Sequence, residues 1–303
     1  MAQKISLITG CSSGIGLNLA VKLGKDAAKK YLVYSTMRNL GKKGPLEEAA
    51  DSALNDTILI RPLDVKSDDS VKNAVSEIID EHGRIDIVVN NAGIASFNPI
   101  EYSPMHDIRD VLETNFFGPV RVIRAVLPYM KEQRSGHVIN VSSIAGVAGH
   151  PFYETYCASK HAMEGLTESL AIRMKSFDVK LSSILPGPVY TNINDNIVES
   201  NRLPAKGEVD QVTQKQLDVL RTHVRDHFDN MAQTTNEICD IIFNVIETDA
   251  PNKPIRFTTG EYVDTRVAMK LVDFGGNTWV ESARKLVEEP TGYTKSKKSE
   301  EQV

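Results

Sequence analysis

A chain of 303 residues can bury one large core or two smaller ones, and 41% hydrophobic with 25% charged residues is an ordinary globular balance. A formal net charge of −5 leaves no global basic field to hold nucleic acid. Three cysteines, Cys11, Cys157 and Cys239, show neither a pairing pattern nor metal-ligand spacing, so a reducing, cytoplasmic setting without a bound metal is expected.

The first apolar run, ISLIT (5–9), leads into TGCSSGIG, where Gly10, Ser12, Ser13, Gly14, Ile15 and Gly16 form a G-x-x-x-G-x-G turn. Glycines there let the backbone bend tightly and approach a pyrophosphate, which would rest on the N-terminus of a helix predicted over 14–28. The second run, YLVYST (31–36), ends in Met37 and Arg38 rather than in Asp or Glu. An acidic residue here would meet a free ribose hydroxyl, whereas an arginine can clamp a 2′-phosphate, so NADP(H) is expected over NAD(H). TILIRPLDV (57–65) closes on Asp64 and Val65, and Asp64 can accept from an adenine amino group or merely cap the next helix. That helix, predicted over 67–82, starts at Ser67 with Asp68 and Asp69 in its first turn. IDIVVNNAG (85–93) ends in Asn91, Ala92 and Gly93, small and amide residues that suit a backbone laid against a nucleotide or an ordinary turn.

Further helices are predicted over 104–134, 154–176 and 234–249, with strands HVINVSS (137–143), VKLSSILPG (179–187) and IRFTTG (255–260). Val, Ile and Leu dominate the runs with little polar alternation, as in strands buried on both faces. The alternation predicts an α/β fold, a doubly wound parallel sheet of seven strands in one domain over 1–288. Residues 191–233 break the rhythm beyond a strand's carboxyl end, the place for a helical substrate lid. Residues 260–287 read as a closing helical region, and 289–303 as a polar, disordered tail. No apolar run approaches the ~20 residues of a membrane helix, and contact with a membrane surface is left open.

The chemistry gathers near TYCASKHAMEG (155–165), where Tyr156 and Lys160 share a helix face. A free phenol titrates near ~10, too high for a base at neutral pH. A neighbouring ammonium lowers that value and would let Tyr156 take or give the proton of an alcohol or ketone. The hydroxyl of Ser143, which ends the fifth strand, could hold the same oxygen, with Ser142 as its rival.

TGCSSGIG, NNAG, TNFFG (114–118), SSIAG (142–146), Tyr156-x-x-x-Lys160 and PGPVYT (186–191) occur together and in this order. The set resembles the short-chain dehydrogenase/reductase family over about residues 4–190, and longer stretches are similar to its 17β-hydroxysteroid dehydrogenase type 1 and retinol dehydrogenase 8 group. The resemblance implies a Rossmann-type fold, a catalytic Ser143, Tyr156 and Lys160, and an Asn115 that holds a water in a proton relay. It also implies cofactor contacts from Tyr156, Lys160, Pro186, Gly187, Val189 and Thr191. The group implies NADP(H) and a lipophilic alcohol, ketone or aldehyde of steroid or retinoid class, touched by Ser143, Tyr156 and, from the lid, His223. The helices over 104–134 and 154–176 would pair two copies into a homodimer. A broad carbonyl reductase and a non-catalytic NADP(H)-binding sensor are the alternative readings.

Overall fold

Strand residues of opposite parity enter different apolar layers, which is why the strands read as continuous hydrophobic runs. In β1 (Lys4–Thr9), Ile5 and Leu7 join one core while Ile8 joins the other. In β2 (Tyr31–Met37), Leu32 and Tyr34 face the first, Tyr31 and Val33 the second. The computed structural model describes residues 3–191, 209–248, 254–273 and 275–289. Within them β3 (Ile58–Pro62), β4 (Ile87–Asn90), β5 (Gly136–Val141), β6 (Val179–Leu185) and β7 (Arg256–Thr258) complete one sheet. Its order is β3-β2-β1-β4-β5-β6-β7, and every described pairing is parallel. This is the single-domain Rossmann-type sheet expected from the sequence.

Helices cover both faces. On one side lie α1 (Gly14–Gly24) and, later in the chain, Thr235–Glu247; Leu19, Leu23, Ile238 and Ile242 are fully buried there. Between them in sequence come α2 (Gly44–Ala50), α3 (Asp68–His82), α4 (Met105–Leu112), α5 (Gly118–Gln133), α6 (Glu154–Met174) and α7 (Gln211–Met231), so Thr235–Glu247 is α8. The chain closes with α9 (Glu261–Val272) and α10 (Asn277–Glu288). The opposite face is covered by α3, α5 and the last turns of α6.

Local chemistry explains the boundaries. Ser67 caps α3 by accepting from Ser70 N at 3.2 Å, and Gly83 ends it at φ +70. The short α2 was not foreseen, because seven residues led by Gly44-Pro45 are too few to show a helical period. The single helix expected over 104–134 is broken by a π-helical turn at Glu113–Phe117. Pro119 has no N–H to return to the Asn115 carbonyl four residues back, so the α-helical ladder cannot run through. The closing helical region consists of α9 and α10, and Trp279 is buried as its anchor.

Strand order reverses between β1 and β4, and in such sheets the crevice beyond the carboxyl ends at that point receives ligands. Of the proposed lid, α7 is described and residues 192–208 lie outside the described residues, as does the tail from 290. Among the described residues no helix is long and apolar enough to cross a membrane.

Candidate active site

The turn after β1 and the turn after β4 are locked together before any ligand arrives. Thr9 Oγ1 accepts from Asn91 N at 3.0 Å and Ala92 N at 3.1 Å, and Asn91 Nδ2 donates to Thr9 O at 2.9 Å. Gly10 adopts φ +75, a left-handed conformation that a side chain would strain. A Cβ on Gly16 would lie 2.4 Å from Asn91 Nδ2 and 2.5 Å from the Gly10 carbonyl oxygen. Ser13 stands at the N-cap of α1 with no side-chain bond to the helix amides, and no acid occupies the first turn. Those free N–H groups and the positive dipole end form an anion cradle that fits a dinucleotide pyrophosphate.

One cavity of about 890 Å³ runs from this cradle across the sheet edge. At the cradle end it is lined by Gly10, Ser12, Ser13, Gly14, Ile15 and Thr191. Its rim holds Arg38, together with Asn39 and Lys42, which sequence reasoning missed. Asp64 and Val65 line it past the end of β3, and Asn91, Ala92 and Gly93 past the end of β4. Asp64 also turns its own loop, accepting from Lys66 N at 3.0 Å. Pro186, Gly187 and Val189 follow β6. Gly16 is packed beneath the turn rather than on the cavity wall.

At the other end α6 presents Tyr156 and Lys160 to the same cavity, opposite Ser143. Buried amides fix the register of α6. Asn90 Nδ2 donates to Asn140 Oδ1, Asn140 Nδ2 to Thr167 Oγ1, each at 2.8 Å, and Thr167 to the Met163 carbonyl. Glu164, 4% exposed, takes Arg256 from β7 at 2.8 Å and the Ser183 hydroxyl from β6. The Ser143 hydroxyl lies near enough to the Tyr156 phenol to act on its pKa, and it accepts from Ala145 N at 3.1 Å. Ser142 has no such contact; its hydroxyl is buried without a partner. Asn115 does not line the cavity. Its Nδ2 donates to Ile94 O at 2.8 Å and Ser159 Oγ at 3.1 Å, and its Oδ1 accepts from Ile94 N at 2.9 Å.

The pairing of Tyr156 and Lys160 differs from the sequence expectation in one respect. Lys160 Nζ donates to the Val141 carbonyl at 2.9 Å and lies 5.6 Å from the Tyr156 ring centroid. Burial pushes the phenol up to about 12, and the Ser143 hydroxyl only partly opposes it. The phenol is therefore protonated at neutral pH, and the lysine does not lower it in this state, because desolvation outweighs an ammonium that is itself buried. The same burial lowers Lys160 from 10.5 to about 8, with Glu164 pulling the other way.

That lysine makes a stability prediction. Between pH 8 and 10.5 the folded chain binds fewer protons at Lys160 than the unfolded chain, so stability rises with pH across that window. Below it the burial costs of order 3 kcal/mol. Lys160→Met is expected to raise the melting temperature at neutral pH by several degrees, and the gap from wild type should close towards pH 10. Parallel calorimetric scans check this; a gap constant with pH would refute a strained ammonium.

Substrate-side residues come mainly from elements the motifs do not reach. Leu220, Val224, His227 and Phe228 line the cavity from one face of α7. Their spacing of three and four was legible as a helical stripe. His223, the expected substrate contact, sits about 100° around the helix from Val224 and is not on that wall. Its Nε2 meets the Glu289 carbonyl at 2.7 Å instead. His150, Tyr153, Tyr262 and Leu286 complete this end. The three cysteines are buried, and burial raises the Cys11 thiol to about 12 and the Cys157 thiol to about 11.

Comparison with known proteins fits this geometry. The short chain dehydrogenase family profile matches residues 4–202. Retinol dehydrogenase 8 of Bos taurus is 40% identical over 287 residues, 94% of this chain and 91% of its own length. Human 17-beta-hydroxysteroid dehydrogenase type 1 is 36% identical over 289 residues, 95% of this chain and 87% of its own. Among solved structures, a short-chain dehydrogenase from Streptomyces avermitilis has a TM-score of 0.74 at 25% identity, covering 94% of this chain and 98% of that one.

Proposed function

The chain belongs to the short chain dehydrogenase family, nicotinamide-dependent oxidoreductases of alcohols and carbonyls, and on that premise we propose that it is an NADP(H)-dependent enzyme acting on a lipophilic alcohol, ketone or aldehyde of steroid or retinoid class. The observation that carries the reading is that Ser143, Tyr156 and Lys160 line one end of a cavity whose other end is an anion cradle.

The cofactor, when bound, supplies or accepts the hydride. The glycine turn and the α1 amides would hold its pyrophosphate, Arg38 its 2′-phosphate, and Asp64, Val65 and the Asn91–Gly93 turn its adenosine side. In carbonyl reduction the neutral Tyr156 phenol donates its proton to the carbonyl oxygen, and the Ser143 hydroxyl hydrogen-bonds the same oxygen to orient it. Lys160 Nζ, which donates to the Val141 carbonyl, would hold the nicotinamide ribose and return a proton towards Tyr156. Asn115, whose side chain is bound to Ile94 and Ser159 at the π-helical turn, would hold a water for that relay from behind the cavity wall. Burial of the phenol suits this direction, since it keeps the proton on Tyr156 until a substrate oxygen takes it.

The apolar wall of Tyr153, Leu220, Val224, Phe228 and Leu286 favours a bulky hydrophobic substrate. A homodimer through the 104–134 and 154–176 helices is part of the same reading, and Phe117 and Ile172, 46% and 70% exposed, supply apolar surface there. Turnover of a panel of steroids, retinoids and simple carbonyls with NADPH and NADH tests the function. Bulky apolar carbonyls with NADPH should give the highest kcat/KM. Dinucleotide binding without turnover of any of them would refute an enzyme.

A further inference from the structure

The substrate end of the cavity is mostly apolar, yet polar groups interrupt it in one place. His150, on the loop between Ser143 and α6, lines the cavity, and its Nε2 is buried without a hydrogen-bond partner. Trp279 holds that loop, donating from Nε1 to the Gly149 carbonyl at 2.8 Å, with its ring edge to face against His150 at 5.7 Å. His227 on α7 and Tyr262 on α9 face the same space, their rings 5.5 Å apart. Behind Tyr262 the Arg266 guanidinium stacks 3.6 Å from the ring centroid and donates to the Tyr262 carbonyl at 3.2 Å. Among the described residues no carboxylate pairs with Arg266.

A buried nitrogen left without a partner forfeits its hydration, and such groups are few in folded proteins. A guanidinium beside an apolar cavity leaves a positive potential inside it. The neighbours register that potential. Burial and then Arg266 hold His150 down to about 4, with His227 and His161 acting in the same direction. Burial and then Arg266 also lower His227, with His223 adding to them and Asp226 opposing. Both imidazoles are thus neutral at physiological pH, and among the described residues no carboxylate answers the Arg266 charge.

We propose that His150, His227 and Tyr262, backed by Arg266, form an anion subsite, so that the cavity takes a lipophilic molecule that carries a carboxylate besides its reacting group. In its Nε2–H tautomer His150 donates to the carboxylate, His227 and the Tyr262 hydroxyl flank it, and Arg266 balances its charge across the Tyr262 ring. A hydroxyl end would satisfy His150 and leave the guanidinium unanswered; a methyl end would satisfy neither. The substrate form of this inference rests on the redox reading, while the subsite itself does not.

Dodecanal, 12-hydroxydodecanal and 12-oxododecanoic acid share one reactive aldehyde and differ only at the far end. With NADPH, kcat/KM for the acid is expected to exceed that for dodecanal by about tenfold or more, the worth of one charge-assisted hydrogen bond. The acid-to-dodecanal ratio should collapse towards one in His150→Leu and Arg266→Met, and Arg266→Lys should keep more of it than Arg266→Met. Calorimetric binding of dodecanoate and dodecan-1-ol to the NADPH-loaded protein gives a reading free of turnover, and melting curves exclude misfolded variants. Dodecanoate should bind wild type more tightly than dodecan-1-ol, and His150→Leu should erase the difference. Equal ratios in wild type, a preference for the hydroxyl or methyl end, or a preference untouched by both variants would overturn the subsite. Dodecanoate binding that depends on His150, without reduction of any aldehyde, would support the subsite and overturn the redox reading alone.

Discussion

Tyr156→Phe is expected to lower kcat by at least 10²-fold, within the 10²–10⁴-fold range of a positioned general acid, while the affinity for NADPH stays nearly unchanged. The substitution removes one oxygen and keeps the ring, so packing against Tyr153, at a centroid distance of 6.4 Å, is preserved. Ser143 keeps its bond from Ala145 N at 3.1 Å, so its loop stays in place. What disappears is the phenol proton that burial holds beside Ser143 at neutral pH, with a pKa of about 12. Turnover measured under saturating NADPH, alongside calorimetric titration of the dinucleotide, separates chemistry from binding. A variant within tenfold of the wild-type rate would remove Tyr156 from the proton-transfer step, and a large loss of NADPH affinity would assign it to cofactor binding instead.

Arg38→Asp is expected to lower the ratio of kcat/KM with NADPH to that with NADH by roughly 100-fold. Arg38 stands exposed at the carboxyl end of β2, on the rim next to Asn39 and Lys42. Its guanidinium can grip a phosphate through two parallel N–H bonds, and a hydrogen bond to a charged group is worth about 1.5–3 kcal/mol. The substitution removes that grip and adds a carboxylate that repels the 2′-phosphate and accepts from a free 2′-hydroxyl. Loss with one cofactor and gain with the other both move the ratio the same way. Lys42 would still attract the phosphate and so limits the change. Steady-state kinetics with both cofactors on one substrate give the ratio directly, and an unchanged value would mean that the 2′ position is read elsewhere.

The two substitutions differ in how far the sequence alone supports them. Arg38 could be placed because a strand end two residues long in uncertainty still points at the same crevice. Tyr156 and Lys160 could be paired because four residues along a helix always share a face. The direction of their coupling could not be read so. A sequence shows that an ammonium is near a phenol, but not how much water either retains, and here the loss of water dominates both.

His223 shows the same limit in geometry. A helix over 211–231 was foreseeable as a polar amphipathic stretch, but which stripe meets the cavity depends on what packs behind it. Leu217 and Leu220 are buried with Phe97, Phe152 and Val287, and with α7 so placed His227 lines the cavity while His223, one turn away with its ring stacked 6.2 Å from that of His227, meets the Glu289 carbonyl. The break at Glu113–Phe117 was hidden for a related reason: the apolar pattern runs on through it, and only hydrogen bonding around Pro119 reveals the turn.

By itself the sequence determined the sheet, the glycine turn after its first strand and the shared helix face of Tyr156 and Lys160, because these depend on short-range rules: alternation of strands and helices, glycine where backbone must crowd, and fixed spacing along a helix. Only the tertiary structure decided which histidines face the cavity, that Arg266 has no described counter-charge, and that the phenol rests protonated. Those properties depend on burial and on the rotation of helices about their axes, which are set by contacts between residues far apart in the chain.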